Sequence, residues 1–469
     1  MTAQAATPAA LVPALPRAVR WGYGGGEWAN AVVWTSFTAL FLYFFTDIVH
    51  ASAALGGTLM LLGTLCNTLL QPYIGLRSDR LQSRHGRRLP FLALAAVPYA
   101  VTSWLLFTDP GWSGIAQTLY FGAVVIAWSA CLTFFYVPYG ALGAELSTHA
   151  PERTALATVR TACSQMGALV GAVAPLLLAG WFGGGRTGWS TAAAVTALLA
   201  AAGILITWAT ARGRETAAEP ATTRMRDQFA MLRSPTVRRL LGALMFGWAP
   251  ISVTGAVNLY YALHIMQLSQ SMASALLLVW FMAGLAWLPL VQYLSSRIGK
   301  TRTYVAFTTG WFFTQCLFLL LHPGDQVLLW TLILLSSAGS MAVAVTTWSL
   351  LADVSDIEEL RTGERREGAL YGLAAFAQTA LAALAVWFVG LTLSAAGYHG
   401  GEHPNHTARE AIRLLMSIGT AVWLIPGILC CLRLGLTHQR HHAVRAALDS
   451  RAADTPILPA AKADLLANL

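Results

Sequence analysis

Two charged residues stand well inside long apolar stretches: Glu27 within Trp21–Thr46 and Arg160 within Ala155–Phe182. A charge at the centre of a bilayer costs at least ~2.5–3.5 kcal/mol, so an ionisable residue there is a functional candidate from the outset. At a helical rise of about 1.5 Å per residue the two lie roughly 9 Å and 8 Å from the matching ends of their stretches. Similar depth lets a carboxylate and a guanidinium pair. Glu27 is then a candidate coupling acid that holds or gives up a proton as Arg160 leaves or approaches. The plainer alternative is an ion pair that only locks two helices together. Around this pair the apolar stretches carry uncharged polar side chains suited to a hydroxylated solute: Asn30, Asn67, Gln71, Gln165, Asn258 and Gln378. Asn67 and Gln71, four residues apart, share one helix face. Trp28, Trp34, Trp128, Tyr136, Tyr139, Tyr260, Tyr261, Trp280, Trp287, Trp348 and Tyr371 offer flat faces for the C–H side of a sugar ring. Trp and Tyr also gather at membrane interfaces, and part of this set belongs there or in helix packing.

Other chemistries find no support. There is no nucleophile–base set, phosphate loop or metal motif, so neither an enzyme nor a cofactor is expected. His399, His403 and His406, and His438, His441 and His442, match no closed metal site. The six cysteines lie inside apolar runs without ligand spacing and imply no disulfide framework.

The elements that position these residues follow from composition. Of 469 residues, 56% are hydrophobic and 11% charged, against about 25% charged in an ordinary soluble domain. So much apolar surface calls for lipid as the solvent. A spanning helix needs roughly 20 apolar residues. Twelve stretches qualify: Trp21–Thr46, Ala53–Gly75, Leu89–Leu106, Ser113–Leu142, Ala155–Phe182, Trp189–Thr210, Leu240–Leu263, Ser271–Leu294, Tyr304–Leu321, Val327–Ala352, Gly368–Ala396 and Ala411–Leu432. The net charge of +9 is spread over short clusters between these spans, which argues against nucleic acid as a partner. Met1–Pro16 is rich in Ala and Pro without a basic segment and reads as a disordered lead, not a cleaved signal peptide.

Arginine and lysine set the sidedness. They crowd the loops after spans two, six, eight and ten, including Arg77, Arg80, Arg84, Arg87 and Arg88 in the first of these; the alternate loops hold Arg186 and Arg409. The basic side is expected to be cytoplasmic, with both termini there, in the inner membrane of the cell.

The two halves repeat. Span two ends on Gln71-Pro72-Tyr73-Ile74-Gly75-Leu76-Arg77-Ser78-Asp79-Arg80 and then Gly86-Arg87-Arg88. Span eight ends on Leu288-Pro289-Leu290-Val291-Gln292-Tyr293-Leu294-Ser295-Ser296-Arg297 and then Gly299-Lys300. Such duplication, six spans and six in parallel, fits a fold with its substrate site at the interface of the halves. The expected organisation is a lead over 1–20, a first half over 21–211, a cytoplasmic linker over 212–239 with a possible surface helix at Met225–Leu232, a second half over 240–433 and a cytoplasmic tail over 434–469.

Three motifs in order resemble the glycoside–pentoside–hexuronide group of major facilitator transporters, typified by melibiose permease. They are Gly75-Leu76-Arg77-Ser78-Asp79-Arg80 running on to Arg88-Leu89-Pro90-Phe91; Val137-Pro138-Tyr139-Gly140 through Glu145 with Pro151-Glu152-Arg153-Thr154; and Leu351-Ala352-Asp353-Val354-Ser355-Asp356 with Glu364-Arg365-Arg366-Glu367-Gly368. The resemblance implies an all-α major facilitator fold and a gating role for the loop charges Asp79, Arg80, Arg87, Arg88, Glu145, Arg153, Asp353, Asp356, Arg365 and Arg366. Arg153, Arg365 and Arg366 are expected to pair across the halves with Asp79, Glu145, Asp353 or Asp356 in one state and release them in the other. The pattern departs from the melibiose-permease branch where that branch couples to cations. Its carboxylate positions in spans two and four fall on Asn67, Gln71 and Tyr136, and its charged sugar-binding pair in span one on Asn30 and Ala31. Its basic position in span eleven falls on Thr379 beside Gln378, and its two basic residues in span five on Arg160 and Thr161. Sodium coupling of that kind is therefore not expected.

The function expected is secondary transport of a small polar or sugar-like solute by a monomer in the bilayer, with a proton as the candidate coupling ion. Proton-coupled or uncoupled export of a metabolite or drug-like amphiphile is the alternative, and a non-transporting receptor the remaining one. The expected solute contacts are Trp28, Asn30, Trp34, Asn67, Gln71, Tyr136, Tyr139, Arg160, Asn258, Tyr261, Trp348, Gln378 and Thr379.

Overall fold

The computed structural model describes residues 15–81, 86–146, 150–214, 231–362, 367–398, 400, 404–436, 443, 444 and 447; at Asp79, Ala144, Ala150, Pro151, Arg153, Thr154 and Glu367 the backbone alone is described. The helices are α1 (Arg17–Tyr43), α2 (Ala53–Arg80), α3 (Leu89–Leu105), α4 (Gly114–Leu146), α5 (Ala150–Trp181), α6 (Gly185–Ala211), α7 (Pro235–Tyr260), α8 (Gln270–Ile298), α9 (Lys300–Leu317), α10 (Gln326–Thr362), α11 (Glu367–Ala395), α12 (His406–Met416) and α13 (Ile418–Leu432). Among the described residues eleven helices are long and apolar enough to span a membrane, α12 and α13 counting as one, and α3 is a shorter apolar helix. The expected all-α fold of about twelve spans is present.

Several helices run past their apolar stretches at the end carrying the arginine-rich loops, called here the basic end. α10 continues to Thr362, ten residues beyond the expected Ala352. α7 starts at Pro235, not at Leu240, because a proline at the first helical positions forfeits no backbone hydrogen bond. The possible helix at Met225–Leu232 lies mostly outside the described residues; Met231–Arg233 form a single 3-10 turn.

The twelfth span is broken where the apolar pattern gave no warning. Ser417 leaves the helical conformation between α12 and α13. Carbonyls freed inside a membrane must find other donors. Here the Gln315 amide of α9 donates to Met416 O at 2.9 Å and the Thr420 hydroxyl donates to Leu415 O at 3.0 Å.

Packing repeats with a shift of six helices. α1 packs on α5 and α6 as α7 packs on α11 and α13; α2 on α4 as α8 on α10; α3 on α4 and α6 as α9 on α10 and α13. The two sets meet through α1 with α7, α2 with α11, and α5 with α8. The correspondence extends to local geometry at one constant offset. α1 and α7 each end in a π-helical turn, Phe44–Ile48 and Tyr261–Ile265. Each is followed by a non-glycine residue with positive φ, His50 (57°) and Gln267 (54°). Then comes a serine cap, Ser52 on Leu55 N and Ser269 on Met272 N, and later an internal proline, Pro72 and Pro289.

The tightest seam joins α1 and α5. A Cβ placed at Gly171 would lie 2.1 Å from Val32 O, and one at Gly167 2.6 Å from Trp28 O. Small residues four apart let membrane helices approach this closely. The Ser36 hydroxyl donates across the seam to Gly171 O at 2.8 Å.

Candidate functional site

The α1–α5 seam brings Glu27 and Arg160 together. Arg160 Nε donates to Glu27 Oε2 at 2.6 Å, with Glu27 6% exposed. The Tyr136 hydroxyl on α4 sits 3.3 Å from Glu27 Oε1 and accepts from Arg160 at 2.9 Å. The Ser164 hydroxyl, one turn from Arg160, lies 3.4 Å from Glu27 Oε1. The guanidinium also lies over the Tyr136 and Tyr139 rings, 5.8 and 5.6 Å from their centroids, and such cation–π contacts strengthen as water is excluded. A resident cation thus occupies the place beside the carboxylate.

Beyond Ser164 the same helices open onto a central cavity of ≈ 420 Å³ between the two helix sets, lined from α1, α2, α5, α7, α8, α10 and α11. Asn30, Trp34, Gln165, Asn258, Gln378 and Thr379 line it as expected, with Trp280 on α8; Trp248 on α7 joins them and was not singled out by the sequence. Among the described residues, none that lines it is charged. Three buried polar atoms on this wall have no hydrogen-bond partner among the described residues: Thr254 Oγ1, Trp280 Nε1 and Gln378 Oε1. Buried polar atoms are seldom left unpaired, and a cluster of them calls for a polar ligand or solvent.

Residues 22–438 match the family model described as MFS/sugar transport protein. The chain belongs to that family. It is 26% identical to an uncharacterized symporter of Synechocystis, covering 92% of this chain and 96% of that one. It is 25% identical to the isoprimeverose transporter of Lactiplantibacillus pentosus, covering 85% of each. It is also 25% identical to a glucuronide carrier protein homolog of Escherichia coli, covering 86% and 88%. Among solved structures, the nucleoside transporter NupG superimposes with TM-score 0.65 at 12% identity, covering 89% of this chain and 98% of that one. A D-xylose-proton symporter does so with TM-score 0.61 at 15% identity, covering 89% and 96%. The glycoside–pentoside–hexuronide resemblance stands, and the protein is a membrane-embedded transport protein, not an enzyme.

Several expected solute contacts of this major facilitator transporter lie elsewhere. Tyr261 is buried in the core at the end of α7 with its hydroxyl on Phe318 O at 2.7 Å. Tyr139 is fully buried, stacked 4.9 Å from Tyr23, with its hydroxyl on Tyr23 O. Trp348 packs on Tyr371. Trp28 is half-buried, its backbone held against Gly167. Asn67 faces α4 and accepts from the Thr133 hydroxyl at 2.7 Å, and Gln71 is exposed; neither lines the cavity. Tyr136 and Arg160 stand with Glu27 at the basic side of the cavity. Residue type pointed to the site, but depth along the helix also decides: Tyr261 and Trp348 lie about a turn beyond the lining residues Asn258 and Ala344, and Asn67 and Gln71 beyond Thr64.

Among the described residues the loop charges pair within each helix set. Glu145 accepts from Arg87 at 2.6 Å and from Arg88 at 3.1 Å, with Arg88 also on Ser78 Oγ. Lys300 grips Asp353 at 2.6 Å. Arg20 pairs with Glu152 at 2.7 Å. Each joins helices of one set: the starts of α3 and α9 lie beside Glu145 and Asp353, and the start of α1 beside Glu152. The expected cross-pairing of Glu145 and Asp353 turns on Arg153, Arg365 and Arg366. Asp79 and Arg153 side chains and all of Arg365 and Arg366 lie outside the described residues; Arg80 is exposed, and Asp356 is half-buried on α10.

Between described residues, the bridges from one set to the other all lie at the opposite end. Thr46 meets Tyr260 at 2.7 Å, Tyr398 donates to Asp47 at 2.7 Å, Trp387 donates to Thr58 at 3.1 Å and Gln270 donates to Leu176 O at 3.2 Å. A Cβ at Gly390 of α11 would lie 2.4 Å from Ala53 O of α2.

Proposed function

We propose that this protein moves a small, uncharged, sugar-like solute across the inner membrane by alternating access, without sodium, using Glu27 as its proton-coupling acid. The observation that carries this is the central cavity: three indoles for ring faces, amides and hydroxyls for hydroxyl groups and, among the described residues, three polar atoms without a partner and no charge. A uronate or other anion would leave its charge unpaired there, at several kcal/mol. Sodium is disfavoured because Arg160 already stands on Glu27, and Asn67 and Gln71 supply no carboxylate. The two six-helix sets are the moving bodies, with the bridged end shut in the conformation described.

Reconstituted protein in liposomes tests this with alkyl glycosides, free pentoses and hexuronates, each with and without sodium and pH gradients. Neutral sugars should accumulate under a pH gradient, with sodium changing the rate by less than about twofold. Several-fold sodium-driven accumulation, or preference for a uronate, would overturn the reading. Efflux of an amphiphile with no sugar uptake would favour the exporter.

Orientation is tested separately. The positive-inside rule puts the basic end in the cytoplasm. A reporter fused after Gly86 should read cytoplasmic and one inserted at Glu402 external; either result reversed would invert the topology.

A further inference from the structure

The π-helical turns that end α1 and α7 place Asp47 and His264 at equivalent positions, the fourth residue of each turn. π turns inside helices mark functional positions more often than chance. The two side chains face each other across the interface, 3.4 Å from Nε2 to Oδ1, each 6% exposed. Tyr398, just past α11, stands between them, its hydroxyl 2.7 Å from Asp47 Oδ1 and 2.8 Å from His264 Nε2. A Gly397 with φ 74° turns the chain so that Tyr398 N bonds back to Leu393 O and fixes this tyrosine. A carboxylate only accepts, so Tyr398 gives its proton to Asp47, and His264 Nε2 must then donate to the Tyr398 oxygen. On the other side Thr46 donates to Asp47 Oδ2 at 2.7 Å, which leaves Tyr260 to donate to Thr46. Every donor in the cluster points toward Asp47, and the cluster closes the bridged end of the molecule.

We propose that Asp47, Tyr398 and His264 form a proton-operated latch, in which a proton bound at His264 holds the two halves shut at this end. The inference rests on alternating access as read above, but uses residues remote from the cavity and from Glu27. An imidazolium beside a buried carboxylate attracts it far more strongly than a neutral imidazole does. Apart, in water, an imidazole takes its proton at about pH 6.5 and a carboxylate releases its own at about pH 4. Closing on the carboxylate then takes up a proton, so acid favours the shut end and alkali favours its opening.

Among the described residues, the groups packed around the cluster are these. Tyr43 and Tyr260 are phenols that stay neutral in this range. α12, packed on the turn Tyr261–Ile265, carries His406, exposed at its first residue, and Arg409, Glu410 and Arg413; Arg413 pairs with Glu410 at 3.5 Å, and arginines hold their charge throughout. Arg186 at the start of α6 is paired with Asp109 at 2.7 Å. The first turns of α2 and α8 carry no charge. His50 is exposed in the turn after Asp47.

Spin labels on unnatural amino acids at Trp112 and Val327, both exposed at this end and one in each half, report opening as a distance distribution. In the full chain in liposomes, lowering the pH from about 8 to about 5.5 should reduce the long-distance population at least roughly fivefold. His264→Gln and Asp47→Asn should flatten that response, and Tyr398→Phe should weaken it, while His50→Gln should keep it. Far-ultraviolet circular dichroism and elution volume check that each variant is folded; should one misfold, the remaining two carry the test. Two populations whose ratio ignores pH, or a pH response intact in the folded variants, would overturn the latch and leave alternating access standing. A single distance at every pH would overturn both.

Discussion

Glu27→Gln is expected to abolish solute accumulation driven by a pH gradient while leaving exchange of solute down its own gradient within about twofold of the native rate. The amide keeps the shape of the carboxylate and its contacts with Tyr136 and Ser164, but it has no proton to carry. Arg160→Ala should damage both activities, because it strips a 6% exposed carboxylate of its cation. Breaking a fully buried pair costs about 3–5 kcal/mol, and the partial exposure of Arg160 lowers that figure. If the pair is only structural, Glu27→Gln combined with Arg160→Gln should restore expression and gradient-driven accumulation together. Counterflow and pH-jump uptake in the same liposome preparation separate the outcomes. Accumulation that survives in Glu27→Gln would remove the proton role and leave an uncoupled facilitator.

Three glycine-to-alanine changes should diverge sharply despite adding the same methyl group. At Gly171 the new Cβ would meet the backbone carbonyl of Val32 at 2.1 Å, inside one half. Neither backbone can yield without moving α1 off α5, at a cost of roughly 3 kcal/mol or more. Gly171→Ala should therefore lower the melting temperature and disturb the Glu27–Arg160 pair, which that seam aligns. At Gly390 the new Cβ would meet Ala53 O at 2.4 Å, between halves. There the molecule has an escape, because the halves can separate. Gly390→Ala should leave folding near native and shift the population toward opening at that end by roughly tenfold for each ~1.4 kcal/mol of overlap. At Gly140 nothing lies within 4 Å, and Gly140→Ala should be silent. Thermal melts followed by labelling of the bridged end read both effects; a silent Gly171→Ala would mean the seam is looser than described.

The spans were legible because a membrane demands some twenty apolar residues in a row, a one-dimensional signal. The Glu27–Arg160 pair was legible for the same reason, since few charges survive inside such runs and these two share a depth. Which face an aromatic takes is not one-dimensional. Tyr261 and Trp348 have the right composition but lie about a turn beyond the lining residues Asn258 and Ala344, while Trp248 lines the cavity from the helix on which only Asn258, Tyr260 and Tyr261 had been singled out. The break at Ser417 depends on a donor from α9 a hundred residues away, which no local pattern carries. Asp47 and His264 were passed over because each sits where an apolar run ends, the ordinary place for a polar residue. Only the pairing of the two turns gives them a common meaning.

Trp34, Trp248 and Trp280 bring three of the chain's 17 indoles to one small space, with Trp34 stacked 6.2 Å from Trp128. Indole emission responds to polarity and hydrogen bonding within a few ångströms, and two stacked indoles add a chiral signal in the near ultraviolet. These rings belong to α1, α7 and α8, so solute entry and helix motion both register in the intrinsic spectrum. The molecule thus contains its own optical probe, and candidate solutes can be sorted by titrating unlabelled protein before any vesicle is made.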